Sequence, residues 1–337
     1  MKGTAGKKKR HSLILAIAGV RETGISIFIL LLVVVVSLRS PYFLTVDNFT
    51  DILMDIAILS IVAIGEAMVI LTRGIDLSAA STIALSGMIV GMTVSSHQGI
   101  PPAAALLMGI GVGAVLGSLN GLMVTKGRIP PIIATLGTLS IYRGLTFLIS
   151  GGAWVDAHEL PRSFVYLSKN FVLGIPILVL IAAIVAIISY YFLNHARTGR
   201  EIYAVGSNPE AAQVVGIHVN RILFLVYLLS GILSGMAGVL WVSRYASAQS
   251  DTAAGFELQA VAAAVVGGVN IFGGSGTIPG VLLGSLLLGI VVNALNLVRI
   301  SPFWKLAVQG LIILLAVVSD AIVSRRLQRA QSAGRAS

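Results

Sequence analysis

Runs of predominantly apolar residues, most of them about 20 long, recur down this chain at 24–42, 53–72, 77–96, 102–125, 129–150, 172–194, 221–243, 258–272, 276–298 and 303–323. About 20 such residues in a helix span the hydrocarbon core of a bilayer. In lipid the backbone must satisfy its own hydrogen bonds, so these runs read as α-helices. Only 11% of the 337 residues are charged, where a soluble domain carries roughly a quarter. Mean hydropathy is +0.96. The fold class expected is an all-α polytopic membrane protein of about ten transmembrane helices, some short or broken. The run 258–272 is the shortest, and a re-entrant segment is one reading of it. The first run is too long for a signal peptide and lacks a cleavage pattern, so it reads as a retained span.

Ten spans put both termini on one side. With the termini in the cytoplasm, that side carries 16 of the 23 basic residues and the opposite side six, with Arg143 inside a span. Cytoplasmic loops hold the excess of Lys and Arg, which fixes the orientation. The chain then divides into a basic cytoplasmic segment 1–23, a membrane domain 24–323 with a cytoplasmic loop 195–221, and a basic cytoplasmic tail 324–337. The formal charge of +10 reads as membrane anchoring and not as nucleic-acid binding. Cysteine is absent, which excludes disulfides and thiolate metal sites, and the scattered histidines form no ligand pair. No metal or catalytic residue is expected. Glycines four apart, at 113/117/121, 231/235 and 280/284, suit close helix packing. GIDL (74–77) and GVNI (268–271) echo one another faintly, as do 119–131 and 295–302, which is compatible with an internal inverted repeat.

Candidates for a polar translocation path follow from cost. Glu66 and Arg143 lie within apolar runs, where a charge costs at least about 2.5–3.5 kcal/mol and faces a cavity or a partner. A structural contact, Glu to Arg or Glu to backbone, competes evenly with the path reading. TRGIDLSAAST (72–82) gathers Arg73, Asp76, serines and threonines beside a glycine. A broken helix facing a cavity competes there with local capping by Asp76 and Ser78, which is preferred for Ser78. Asn120, Thr135 and Thr138 offer hydrogen bonds either to a hydroxylated solute or between helices. Trp154 reads as an interfacial aromatic, and Asp55 and Asp320 as interface residues. No phosphate loop of the GxxxxGK[ST] type and no HExxH helix occurs, so nucleotide binding by this chain is not expected.

One polar stretch breaks the pattern. In GREIYAVGSNPEAAQVVGI (199–217) Asn208 reads as an N-cap, Pro209 as the first helical position, Glu210 as a charge complementing the helix dipole, and Gly216 as the residue beyond the C-terminus. A capped helix of about two turns between two spans buries little by itself. Docking into a groove of a partner competes there with an idle surface helix, and is modestly preferred.

The same stretch resembles the cytoplasmic coupling loop of permease subunits in the ABC importer family for ribose, xylose, galactose, rhamnose and autoinducer-2. Gly199, Ala204, Gly206, Asn208, Ala211, Ala212, Gly216 and Ile217 fill the family pattern. GIDLSAAS (74–81), RIPPIIATLGTLSIYRGL (128–145) and VVGGVNIFGGSGTIPG (265–280) agree in order, so the resemblance runs from about 45 to 320. The family usually reads GGIDLSVGS, so Arg73 and Ala79-Ala80 are departures. GGAWV (151–155) is similar to autoinducer-2 permeases, and 243–258 to rhamnose-type ones.

The resemblance implies a permease of the bacterial inner membrane that dimerises with itself or a paralogue. It would receive sugar from an extracytoplasmic binding protein and couple to a cytoplasmic ATPase, which alone uses ATP and Mg. The cargo expected is a small rhamnose-like, autoinducer-2-like or pentose sugar, moved by alternating access. An ion-coupled secondary carrier and a non-transport scaffold are the alternatives.

Overall fold

The computed structural model describes residues 24–297 and isolated positions between 304 and 318. The basic end segments, Asp320 and most of the expected span 303–323 lie outside the described residues. Among the described residues, twelve helices have defined bounds, in order: α1 Gly24–Arg39, α2 Val46–Leu71, α3 Ala79–Ser96, α4 Pro102–Thr125, α5 Pro131–Ser150, α6 Arg162–Lys169, α7 Ile177–His195, α8 Arg197–Ser207, α9 Pro209–Val214, α10 Val219–Tyr245, α11 Phe256–Val266 and α12 Ile278–Leu297. Between α6 and α7 a small hairpin pairs β1 Phe171–Val172 with β2 Ile175–Pro176. Its turn residues Leu173 and Gly174 both have positive φ, the backbone of a tight two-residue turn.

Seven of the described helices are long and apolar enough to cross a membrane: α2, α3, α4, α5, α7, α10 and α12. The run expected to span at 258–272 does not. Helix α11 has 11 residues, about 16 Å at 1.5 Å per residue, roughly half the hydrocarbon thickness. Gly267 and Gly268 end it, and 267–277 continues as irregular chain. The run expected at 172–194 starts later, because the hairpin occupies its first residues.

Helix α2 is the axis of the bundle. Every residue from Ile56 to Leu71 is buried, as a helix apolar on all sides requires. It packs against α7, α10, α11 and α12, while α3 lies between α10 and α5. Helices α4, α5 and α7 are peripheral and expose Val115, Ile133, Leu148 and Ile187, the side chains that meet lipid.

The closest helix pair is α4 with α10. A Cβ on Gly113 would strike the Gly231 carbonyl, and one on Gly117 the Tyr227 carbonyl. Backbone meets backbone along this seam, so dispersion acts at its shortest range where lipid supplies no hydrophobic drive. The spacing at 113/117 and 231/235 therefore belongs to one interface. Likewise Gly280 and Gly284 of α12 lie against Gly267 and Ala263 at the end of α11.

Candidate functional site

Two segments of irregular backbone, 72–78 after α2 and 267–277 after α11, meet each other and the end of α8. The Gly274 N–H donates to the Leu71 carbonyl at 2.9 Å. Arg73 donates from Nε to the Gly206 carbonyl and from NH2 to the Ser207 carbonyl, each at 2.7 Å. Arg73 has φ 69°, a left-handed conformation costing a non-glycine residue about 1–3 kcal/mol. The two charge-assisted bonds offset that strain. Glycine would hold this backbone without strain and without the tether to α8, a physical account of the departure at residue 73.

Gly206 sits where a Cβ would collide with the Leu71 carbonyl. Tyr203 closes the third side: its hydroxyl donates to the Gly276 carbonyl at 2.9 Å, and burial pushes the phenol from 10.0 up to about 12. A raised folded pKa makes this contribution complete below pH 10 and removes it as pH rises through 12. Tyr203→Phe is therefore expected to cost about 1 kcal/mol near neutrality and to flatten the stability loss between pH 10 and 12. Thermal unfolding of the purified protein across that range measures both.

Helix α9 leaves this joint with the caps expected for it. The Asn208 side chain accepts from the Ala211 N–H at 3.0 Å, with Pro209 and Glu210 in the first turn. Gly216 takes φ 85°. Ala212 is buried against the bundle, while Ala211, Val214 and Val215 are exposed, the two valines at 87% and 74%. Gly199 packs its backbone against Leu193, and Ala204 accepts the Asn208 N–H at 3.0 Å, so α8 follows α7 and α9 follows α8 with no slack.

Deeper in the bundle, the polar candidates of α2 to α5 form one buried network. The Asp76 N–H donates to Glu66 Oε1 at 3.0 Å. Asp76 Oδ1 accepts the Ser78 N–H at 3.1 Å and the Ser78 hydroxyl at 2.6 Å, and its Oδ2 accepts the Ser230 hydroxyl at 2.8 Å. Asn120 Nδ2 donates to the Ser78 hydroxyl at 2.7 Å. Tyr142 donates to the Leu116 carbonyl at 2.9 Å, and Thr135 to the Ile75 carbonyl at 3.1 Å. Glu66 is thus held by backbone, and Asp76 ties the break after α2 to α10.

Ser78 does not cap α3 with its side chain, contrary to expectation: its backbone is αR (φ −80°, ψ −8°) where a capping residue is extended, and its hydroxyl oxygen accepts from Asn120. Thr138 bonds back to its own helix. Arg143 is not brought to Glu66. It donates to the Ser250 and Thr252 carbonyls at 2.9 and 2.7 Å and so fixes the irregular chain 246–255 between α10 and α11. Non-helical backbone at membrane depth needs such partners. Trp154 is 57% exposed, in keeping with an interfacial aromatic. No group of residues able to hold a metal ion occurs among the described residues.

Comparison with known proteins fits this geometry. The family described as "Branched-chain amino acid transport system / permease component" matches residues 48–317. The ribose import permease protein of Escherichia coli (strain K12) is 40% identical over 300 residues, covering 87% of this chain and 92% of the relative. The D-allose transport system permease protein of the same strain is 37% identical over 301 residues, 88% and 91% of the two chains. The autoinducer 2 import system permease protein of Enterobacter sp. (strain 638) is 36% identical over 313 residues, 93% and 90%. No solved structure matches the chain. With apolar spans and relatives of this kind, the protein is a multi-pass inner-membrane transport subunit. It belongs to the branched-chain amino acid transport system / permease component family, among its monosaccharide ABC-importer permeases.

Proposed function

We propose that this chain forms, with a second copy or a paralogue, the membrane path of an importer for a small polyhydroxylated sugar. A cytoplasmic ATPase drives it and an extracytoplasmic binding protein delivers the cargo. The observation carrying this reading is the joint at Gly206. The α8–α9 loop is fastened through Arg73 and Leu71 to both irregular segments, while α9 offers Ala211, Val214 and Val215 outward. A push on α9 is then passed to the ends of α2 and α11 without slack. That is what alternating access coupled to a separate motor requires. ATP and Mg belong to the motor. Relatives named for ribose, allose and autoinducer 2 support a small sugar as cargo, and within that class the proposal is a pentose, an autoinducer-2-like or a rhamnose-like compound.

The test is uptake of labelled D-ribose, D-allose and L-rhamnose into proteoliposomes holding the chain with its ATPase and binding protein, with and without lumenal ATP. ATP-dependent uptake of one sugar is expected. Uptake that ignores ATP and collapses with an ionophore would replace this reading with a secondary carrier. Ala211→Arg changes an exposed position, so it is expected to leave folding intact and to lower ATP-driven uptake by about tenfold, equivalent to about 1.4 kcal/mol of lost coupling. Unchanged uptake in that variant would remove α9 from the coupling role.

A further inference from the structure

Away from the Asp76 network, a cavity of about 190 Å³ opens between α2, α10, α11 and α12. One side is an aromatic corner. The Trp241 ring stands at 87° to Phe256 with centroids 5.1 Å apart, and at 50° to Tyr245 at 4.9 Å. Asp55, Gln259 and Asn296 line the same space. Polar side chains on membrane-spanning helices turn to a cavity or a partner, not to lipid.

The chemistry of this lining selects its ligand. An aromatic face suits the C–H side of a sugar ring, and amides and a carboxylate supply the donors and acceptors that hydroxyls need. Asp55 Oδ1 accepts the Tyr245 hydroxyl at 3.0 Å, which orients the carboxylate and leaves its second oxygen for a ligand. The neighbouring cation is paired with carboxylates and does not line the cavity: Arg244 lies 2.7 Å from Asp51 and 3.7 Å from Asp55. A zwitterionic amino acid would find no free positive charge for its carboxylate here, whereas a neutral polyol needs none. A volume of about 190 Å³ exceeds the roughly 150 Å³ of a cavity that takes up a six-membered ring such as benzene, the scale of one sugar ring.

We propose that this cavity is a monosaccharide subsite of the translocation path, with Trp241 as the stacking platform and Asp55, Gln259 and Asn296 as hydroxyl partners. The proposal rests on the sugar-importer reading and places cargo contact away from the Glu66–Asp76 network.

The chain has three tryptophans, and Trp154 and Trp304 are exposed. Trp154→Phe with Trp304→Phe therefore leaves Trp241 as the sole reporter. In nanodiscs holding the full chain, D-ribose or D-allose is expected to change Trp241 fluorescence saturably, and L-leucine to leave it unchanged. In the complete importer, Gln259→Leu and Trp241→Ala are each expected to raise the KM for uptake about tenfold. A wild-type importer that moves sugar, together with a flat Trp241 signal and unchanged KM in both variants, would overturn the subsite and spare the importer reading. A response to L-leucine and not to sugar would also overturn it. Failure of the wild-type system to move any sugar would remove the importer reading and the subsite together.

Discussion

Gly231→Val is expected to prevent the bundle from assembling. A Cβ at residue 231 would collide with the Gly113 carbonyl and come within 2.6 Å of the Gly117 Cα and 2.8 Å of its nitrogen. All three are backbone atoms of α4, so no side chain can rotate away and the helices must separate. Inserting methylenes where neighbours can adjust costs about 1–3 kcal/mol; here the cost exceeds that range, because the whole α4–α10 seam opens. Gly111 on the same α4 has nothing within 4 Å, and Gly111→Val is the matched control. Size-exclusion profile and thermal unfolding in detergent separate the two. Wild-type behaviour of Gly231→Val would show that the seam tolerates a gap its geometry does not contain.

Asp76→Ala is the second large effect expected. The carboxylate accepts three hydrogen bonds, from the Ser78 N–H, the Ser78 hydroxyl and the Ser230 hydroxyl, all buried where no lipid or solvent can replace it. Each buried donor left without an acceptor costs about 1–3 kcal/mol, so a loss of about 3 kcal/mol or more is expected. Asp76→Asn keeps one acceptor oxygen and turns an N–H₂ toward a donor, so it should fall between the alanine variant and the native protein. Unfolding midpoints in the order native, Asn, Ala support the network. A stable alanine variant would mean that Asp76 is dispensable to the break between α2 and α3.

What was legible in the sequence was local. The α9 caps at Asn208, Pro209 and Gly216 sit where expected, because capping is decided within four residues. The apolar runs likewise announced most spans. Long-range pairings left no such mark. The spacing of Gly113 and Gly117 announced a close packer but not that Gly231 and Gly235 would meet it. Ser78 looked like a cap, but its hydroxyl oxygen accepts from Asn120, 42 positions on, a partner that the local sequence does not reveal. Arg73 stood out as a path candidate, but its bonds to Gly206 and Ser207, more than 130 positions away, left no mark in the sequence. The 258–272 run was apolar enough to suggest a crossing, but Gly267 and Gly268 stop α11 half-way. The aromatic corner at Trp241 escaped notice because Asp55, Trp241, Phe256 and Asn296 share no sequence neighbourhood.

The hydrogen bond from Gly274 to Leu71 also sets an order of events in biogenesis. Its two ends lie 203 positions apart (274 minus 71). At about 5–20 residues per second, at least about 10 s of synthesis separates their emergence from the ribosome. Until residue 274 arrives, Gly206 and Ser207 meet only Leu71 and Arg73, and the side supplied by Gly274 is missing. A chain interrupted before that point inserts its early spans yet offers no finished seat at α9. The last-made third of the protein thus completes a surface built from the middle of it, and the joint that carries α9 closes only once synthesis has passed residue 274.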